Sequence, residues 1–232
     1  MLFRSVFNNK RTYANFNINI KGKILKRTRS AKILGITIDE KLNFKEHINQ
    51  LTSKLAKGMY ILIKLAKFIP LNILKTVFDT NIYPHLIYCL PIYGVTSNST
   101  IKPIITMQKK FVRLLSGSRN FYSHTPPLFK RLKMLNLNDL TNLSILKIIH
   151  QTLSNKTSNF LKQKIQPVQT RRNINLRNNS HIIEPFHRLS KTQQSTVYKG
   201  TRLYNQLSER IKNQESINSY TKLLKEMYLN RY

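Results

Sequence analysis

Apolar residues recur at helical spacing along most of this chain, and they alternate with polar residues only near its N-terminus. The longest periodic run comprises Ile48, Leu51, Leu55, Met59, Leu62 and Ile69. At about 100° per residue, most of these side chains fall on one face of a helix. Asn43, followed by Glu46 three residues later, has the spacing of a capping box. The pattern therefore predicts an amphipathic helix over residues 43–69, which Pro70 ends.

Further helical patterns follow, and prolines and glycines separate them. Residues 71–93 are interrupted by Pro84 and Pro91, so two or three bent helical pieces are expected there. Residues 101–115 predict another helix, and Gly117 is placed to end it. The remaining predicted helices cover residues 125–132, 139–153, 203–207 and 220–228.

The alternating pattern near the N-terminus predicts a small β element over residues 16–38. Phe16, Ile18 and Ile20 alternate with asparagines, and a turn follows at residues 21–23. Residues 32–38 then predict another strand, closed by acidic residues. Such short strands are typical of the edge of a larger sheet whose remainder is not in this chain.

The composition changes at Ser154 and divides the chain further. Residues 154–195 are rich in Asn, Gln, Ser, Thr and Arg and lack apolar periodicity, which predicts a polar basic linker. An ordered tail over 196–232 is expected to begin as a short strand and continue as helices. The predicted fold class is mainly α, with a β hairpin in 1–40 and a helical bundle over 41–153.

Charge separates this chain from an ordinary helical protein. It has 40 Lys and Arg against 9 Asp and Glu, a formal net charge of +31 at pH 7. Such a chain repels itself and favours a polyanion as its partner, which suggests RNA, DNA or an RNA–DNA hybrid. The candidate contacts on two predicted helices are Lys54, Lys57, Lys64, Lys67, Lys109, Lys110 and Arg113. Two further basic groups comprise Lys130, Arg131 and Lys133, and Arg171, Arg172 and Arg177. An ordinary solvated helix face would explain the lysines of residues 43–69 equally well.

Composition also excludes several classes of protein. The single cysteine, Cys89, cannot form an intramolecular disulfide, and it suits a reducing compartment such as the nucleus or cytoplasm. No apolar stretch in the sequence is long enough to cross a membrane. The first 38 residues contain no acid, as in a mitochondrial transit peptide. However, the alternation in residues 16–20 favours a strand over the helix of such a peptide.

Candidate catalytic chemistry is sparse, because the chain has only 9 acidic residues. Nucleotidyl transfer by two metal ions needs clustered carboxylates, and Asp39-Glu40 is the only adjacent pair in the sequence. Its position between a strand and a helix is typical of a structural role. The six histidines are dispersed and have no metal-binding spacing. The residues therefore predict neither a catalytic nor a metal site, and no cofactor.

Five stretches in order resemble the reverse transcriptases of jockey-like non-LTR retrotransposons. The stretch from Lys32 to Asp39, followed by residues 42–48, is similar to that family's K-F-L-G-V-x-I-D … L-x-W-x-x-H-I. The other four cover residues 82–89, 107–113, 125–132 and 198–207, which resemble I-Y-P-x-L-x-Y-C, L-Q-K-R-A-x-R, T-x-P-L-F-x-x-L and F-R-G-x-K-L-W-N-S-L. Three family tryptophans are replaced by the aromatic residues Phe44, Tyr93 and Tyr204.

The resemblance implies a position for each part of the chain in a polymerase. Lys32, Leu34 and Gly35 would lie on the hairpin that grips the primer strand, at the edge of the palm. The helices of 41–153 would form the thumb, which packs against the primer–template duplex. The family's catalytic Asp-Asp pair, its Mg²⁺ ions, the fingers and the rest of the palm would lie upstream. The chain is thus expected to be a C-terminal fragment that grips nucleic acid and is inactive alone.

Three alternatives remain open at the level of sequence. A non-enzymatic basic RNA- or DNA-binding protein explains the charge equally well, although it does not explain the five ordered stretches. A fragment recruited by its host cannot be distinguished from a decaying copy. A basic mitochondrial protein would explain only the acid-free N-terminus.

Overall fold

A computed structural model describes residues 19–20, 22–24, 28–118, 123–168 and 181–232. Outside these ranges lie the predicted strand positions Phe16 and Ile18 and the basic residues Arg171, Arg172 and Arg177. The described strands are β1 (Asn19–Ile20), β2 (Lys23–Ile24), β3 (Ser30–Ile33) and β4 (Ile36–Asp39). The described helices are α1 (Lys45–Leu65), α2 (Leu71–Asn81), α3 (Tyr83–Ile87), α4 (Leu90–Tyr93), α5 (Asn98–Leu115), α6 (Thr125–Arg131), α7 (Leu137–Leu153), α8 (Asn159–Lys164), α9 (Ser190–Gln193), α10 (Thr196–Asn205), α11 (Glu209–Lys212) and α12 (Ile217–Leu229). The prediction of a mainly α fold is confirmed.

The strands form two antiparallel hairpins. β1 pairs with β2, and β3 pairs with β4 in a register that places Ala31 opposite Ile38. The second hairpin turns at Leu34 and Gly35, whose φ angles of 48° and 82° are both left-handed. Two left-handed residues are what a type I′ hairpin turn requires. The prediction of one continuous strand over 32–38 is therefore wrong, because the chain reverses direction in its middle.

The start of α1 depends on the preceding hairpin and not on a capping box. The N-cap residue is Phe44, and it forms no side-chain cap hydrogen bond. The Asp39 carboxylate instead accepts hydrogen bonds from the backbone N–H groups of Lys41 and Asn43, both at 3.0 Å. The predicted pairing of Asn43 with Glu46 is therefore wrong, since Asp39 already fixes the backbone at this corner.

The apolar face of α1 lies at the centre of the N-terminal half of the core. Its buried apolar side chains are Ile48, Leu51, Leu55, Met59 and Leu62. They pack against α2, α3, α5 and β4. The helix ends at Leu65, and residues 66–69 form a turn before α2. The predicted amphipathic helix is thus confirmed in its phase and is shorter than 43–69.

Prolines divide the next segment as predicted. Residues 71–93 form three helices, α2, α3 and α4, and Pro84 and Pro91 lie at the first positions of α3 and α4. A proline is tolerated there because the first backbone N–H groups of a helix have no intrahelical acceptor. Cys89 precedes α4 with a left-handed φ of 52°.

The end of α5 has the predicted glycine stop. Gly117 has a φ of 70°, and its N–H donates to the carbonyl of Leu114 at 3.0 Å. The next N–H, of Ser118, donates to the carbonyl of Arg113 at 3.1 Å. This pair of hydrogen bonds is a Schellman motif, which satisfies the last carbonyl groups of the helix.

The helix α7 joins the N-terminal helices to the C-terminal ones. It contacts α4, α5, α8, α10 and α12 and buries side chains around most of its circumference, as a central helix must. Gly200 allows α10 to approach closely, because a Cβ there would stand 2.8 Å from Ile145 and 2.9 Å from Ile149. The short strand predicted at the start of 196–232 is wrong, since those residues begin α10.

Parts of the predicted linker are folded. Within 154–195, α8 and an isolated antiparallel bridge between Pro167 and Ile182 are present. Ile165 and Ile182 are both buried. The polar composition gives no sign of these packed positions, because two isolated apolar residues produce no periodicity. The division of the chain into four domains stays a prediction.

Candidate nucleic-acid interface

The tip of the β3–β4 hairpin is an exposed, well-defined turn. Leu34 is 85% exposed and Lys32 is exposed on β3. The Tyr88 hydroxyl donates a hydrogen bond to the backbone carbonyl of Leu34 at 2.6 Å. The Tyr88 ring also lies 3.5 Å from the place where a Cβ on Gly35 would stand. Sequence reasoning identified the turn residues through the resemblance but gave no role to Tyr88.

The lysines of α1 lie away from its buried face. Lys54, Lys57 and Lys64 are exposed and form no ion pair with any described residue. By helical phase, Lys57 and Lys64 lie opposite the core-facing Leu55, and Lys54 lies on its flank. Lys67 is exposed in the turn after the helix. The predicted row of four lysines is thus three on α1 and one beyond it.

Apolar side chains interrupt the lysines on the outer surface of α1. Tyr60 is 63% exposed, Ile61 is 54% exposed and Ile63 is 47% exposed. The Lys64 ammonium lies 5.4 Å from the centroid of the Tyr60 ring, a distance that permits a cation–π contact. The outer surface of α1 therefore combines cations with exposed rings and branched apolar groups.

The three basic residues of α5 lie in two different environments. Lys109 and Lys110 are exposed, whereas Arg113 is half-buried. The Arg113 Nε donates a hydrogen bond to the backbone carbonyl of Ser123 at 3.2 Å. Since α5 packs against α1, the lysines of both helices lie on the outer sides of one helix pair. The hydrogen bond from Arg113 anchors Ser123, which lies in the segment that leads into α6.

Three aspartates have structural partners. Asp39 organises the corner before α1, as described above. Asp79 forms an ion pair with Lys75 one turn earlier on α2. The Asp139 carboxylate accepts hydrogen bonds from the side chains of Asn136, at 2.8 Å, and Tyr232. The predicted structural role of the Asp39-Glu40 corner therefore agrees with the hydrogen bonds of Asp39.

The described residues do not provide a fitted magnesium site. Within the described ranges, no three His, Cys, Asp or Glu side chains converge closely enough to hold a metal ion. Asp39 uses its carboxylate oxygens to accept backbone hydrogen bonds. These side chains therefore do not fit the Mg²⁺ ions that the resemblance places in the palm. In the same described part of the chain, no helix is long and apolar enough to span a bilayer.

The histidine of α1 is buried. His47 lies in the first turn of α1, with its ring 5.2 Å from the Tyr93 ring in an edge-to-face arrangement. Burial lowers the pKa of His47, and the positive charge of Lys54 lowers it further. The protein environment therefore favours the neutral form of His47, whose ring packs as part of the core.

Comparisons with known proteins find relatives of one kind. Over 129 residues, 53% of this chain, it is 30% identical to the RNA-directed DNA polymerase from mobile element jockey of Drosophila melanogaster. Over 150 residues, 63% of the chain, it is 25% identical to the corresponding jockey polymerase of Drosophila funebris. Over 117 residues, 49% of the chain, it is 32% identical to the probable RNA-directed DNA polymerase from transposon X-element of Drosophila melanogaster.

The matched region is a small part of each relative. It spans 14%, 16% and 13% of their respective lengths. No family model matches the chain, and no solved structure matches it. These matches confirm the resemblance to jockey-like reverse transcriptases that the five stretches indicated.

Proposed function

The chain is related to the reverse transcriptases of jockey-like non-LTR retrotransposons, and on that premise we propose that it is the thumb-like part of such a polymerase. In this proposal it grips the primer–template nucleic acid, and the fingers and palm of the same polymerase are its protein partners. The observation that carries the proposal is the outer surface of α1, where Lys57 and Lys64 are exposed opposite the core.

Electrostatics support a grip on the phosphate backbone. A lysine that contacts a phosphate releases a condensed counterion, and this entropic gain is independent of base sequence. Lys54, Lys57 and Lys64 are available for such contacts, because they form no ion pair with any described residue. The exposed Tyr60 and Ile61 between them would contact sugar edges in a groove. A polymerase needs this kind of contact, since it must hold every sequence that it copies.

The hairpin tip is proposed to contact the primer strand. Leu34 projects from a type I′ turn and is 85% exposed. Tyr88 holds the backbone of this turn through the carbonyl of Leu34. A turn whose backbone is held by a hydrogen bond can contact the primer strand without a change in its own conformation. Lys32, on the same hairpin, supplies a cation beside it.

The proposed contribution of this chain is binding and not catalysis. The carboxylate of Asp39 accepts backbone hydrogen bonds, that of Asp79 forms an ion pair, and that of Asp139 accepts hydrogen bonds from the side chains of Asn136 and Tyr232. These contacts support a structural use of the aspartates. We expect the purified chain to add no deoxynucleotides to a primed RNA template. Incorporation above that of a mock preparation would contradict this part of the proposal.

The salt dependence of binding tests the proposed grip. The full chain would be titrated by fluorescence anisotropy against an RNA–DNA hybrid with a recessed primer end, a single strand of the same sequence and a B-form DNA duplex. In Lys57→Gln/Lys64→Gln, the loss of two phosphate contacts should reduce the slope of log K against log salt for the B-form duplex by about 1.8. The matched control is Lys102→Gln/Lys156→Gln, which removes the same charge from exposed positions elsewhere.

Two outcomes separate the proposal from its alternatives. Equal slopes for the two double variants would mean that the α1 lysines form only a solvated face. A non-enzymatic basic binding protein would show the α1 effect without any preference for the hybrid over a single strand of the same sequence. The proposal requires both the α1 effect and that preference.

A further inference from the structure

A basic cleft lies where the end of α6 meets α12. It has a volume of about 380 Å³. Four lysines, one carboxylate and one apolar side chain line it: Lys130, Lys133, Lys222, Lys225, Glu226 and Leu229. The lysines come from segments about 90 positions apart in the sequence, so only the fold brings them together.

One wall of the cleft is the C-terminal end of α6. Lys133 has a left-handed φ of 52° and occupies the position after the helix where glycine is usual. Its N–H donates to the carbonyl of Lys130 at 3.0 Å, and the next N–H, of Met134, donates to the carbonyl of Phe129 at 2.9 Å. A side chain is unfavourable in this conformation. The chain nevertheless places a cation there, at the edge of the cleft.

The other wall is the exposed face of α12. Lys222 and Lys225 are three residues apart, so they are neighbours on one face of the helix. The opposite face is anchored in the core by Tyr220, Leu224 and Tyr228, which are all buried. The lysines are therefore held towards the cleft by the packing of their own helix.

A contact at the end of α12 ties the two walls together. The Tyr232 ring lies 6.0 Å from the Phe129 ring of α6. The Tyr232 hydroxyl accepts a hydrogen bond from the backbone N–H of Asn136 at 3.0 Å and donates one to the Asp139 carboxylate. These contacts of Tyr232 hold the two walls of the cleft in a defined position relative to each other.

The charge of this cleft is poorly compensated by the protein. Its four lysines form no ion pair with any described residue, and Glu226 is the one carboxylate among the lining residues. Bringing like charges together is unfavourable unless an anion neutralises them. We infer that the cleft binds the phosphate backbone of a nucleic-acid strand, at a second site separate from α1 and the hairpin tip. This extends the proposed function, because both sites take the same class of ligand.

Lysine protection tests the inference on the unmodified full chain. An amine-acylating reagent would be applied with and without an oligonucleotide, and the acylation of each lysine would be read by mass spectrometry. We expect the oligonucleotide to protect Lys130, Lys133, Lys222 and Lys225 more strongly than the exposed lysines Lys102 and Lys156. Equal protection at all these positions would indicate a diffuse ion atmosphere and would overturn the inference.

Variants give an independent measurement. Lys222→Gln/Lys225→Gln should reduce the slope of log K against log salt by about 1.8 for a B-form duplex, and Lys102→Gln/Lys156→Gln is the control of equal charge. Lys133→Gly removes a cation while relieving the left-handed backbone, so it should weaken binding and keep or raise the midpoint of unfolding. Unchanged binding in both cleft variants would overturn the inference.

The same experiment separates this inference from the proposed function. Protection of Lys57 and Lys64 without protection of the cleft would overturn the inference and leave the proposed function intact. Protection of the cleft alone would support the inference and contradict the proposed use of α1. Inorganic tripolyphosphate is the second probe. If it protects the cleft as well as the oligonucleotide does at equal phosphate concentration, the site takes free oligophosphates and the inference of a strand is wrong.

Discussion

The Tyr88 hydroxyl donates a hydrogen bond to the backbone carbonyl of Leu34 across 54 positions of sequence. It joins the tip of the β3–β4 hairpin to the segment between α3 and α4. Each of the two residues lies in one of the five stretches that resemble the polymerase family. In the described part of the chain, β3 and β4 form a sheet of two strands. The tip therefore depends on Tyr88 for support that a wider sheet would otherwise provide.

Replacing Tyr88 with phenylalanine should loosen this tip. The variant Tyr88→Phe loses one hydrogen bond at an exposed position, so we expect a decrease in the free energy of unfolding of at most about 1 kcal/mol. Hydrogen exchange should become faster at the amides of β3 and β4. The control Tyr60→Phe removes a hydroxyl from an exposed tyrosine of α1. Equal exchange in the hairpin of both variants would contradict the proposed support.

The close approach of α4 to α7 should be sensitive to a single methyl group. A Cβ on Gly94 would stand 2.6 Å from the backbone carbonyl oxygen of Leu90 and 2.6 Å from the Thr141 Oγ1. We expect Gly94→Ala to lower the free energy of unfolding by about 1–3 kcal/mol, as overpacking does. Urea denaturation would measure this against Ser99→Ala, an exposed change in the first turn of α5. A stability equal to that of the control would mean that α4 moves away from α7 without cost.

Local patterns were sufficient for the long helices up to α7, but they missed the short helices α8, α9 and α11 and the corners between elements. The phase of α1 follows from apolar spacing, and the breaks at Pro84 and Pro91 follow from the missing N–H of proline. The alternation pattern ran one strand through Leu34, because leucine gives no signal for a left-handed φ, and only the family resemblance placed Leu34 and Gly35 on a hairpin. The start of α1 was misassigned because its organising group, Asp39, belongs to the preceding strand.

The candidate sites show the same division between local and distant information. Exposure of Lys57 and Lys64 could be predicted, since helical phase alone places them opposite the core. The structural role of Arg113 could not, because it depends on a carbonyl ten residues away in a loop. The sequence did not predict that Lys222 and Lys133 line the same cleft. The spacing of Lys222 and Lys225 on one helix face is nevertheless a visible local signal.

The buried hydroxyl of Tyr220 should be dispensable. Its ring stacks on His150 at 4.3 Å between centroids, and its hydroxyl has no hydrogen-bond partner among the described residues. Tyr220→Phe should therefore leave the free energy of unfolding unchanged or raise it. The matched variant is Tyr93→Phe, because the buried Tyr93 hydroxyl donates to the carbonyl of Leu86.

The two tyrosine variants are expected to differ clearly. Tyr93→Phe leaves a buried carbonyl without its donor, which should cost about 1–3 kcal/mol. Chemical denaturation of both variants under the same conditions would measure the difference. A loss in Tyr220→Phe as large as that in Tyr93→Phe would reveal a partner for the Tyr220 hydroxyl.

Stability should fall in mild acid because of His47. Burial and the charge of Lys54 lower its pKa below the ordinary 6.5, so the folded state binds this proton less tightly than the unfolded state. The corresponding stability is fully present above pH 6.5 and is lost as the pH falls through the lowered pKa. We expect His47→Gln to flatten the dependence of unfolding free energy on pH in this range. His85→Gln, at an exposed position of α3, should leave the curve unchanged.

The central position of α7 makes the two ends of the chain interdependent. Ile145 and Ile149 are covered by α10 at Gly200, while the His150 Nε2 lies 2.6 Å from the carbonyl of Gln214. The apolar side chains that α7 buries against α10 and α12 would be exposed without the tail, and the tail would lose the same contacts without α7. Fragments comprising residues 1–168 and 181–232 should therefore associate when mixed. Each fragment alone should expose apolar surface that binds hydrophobic dyes.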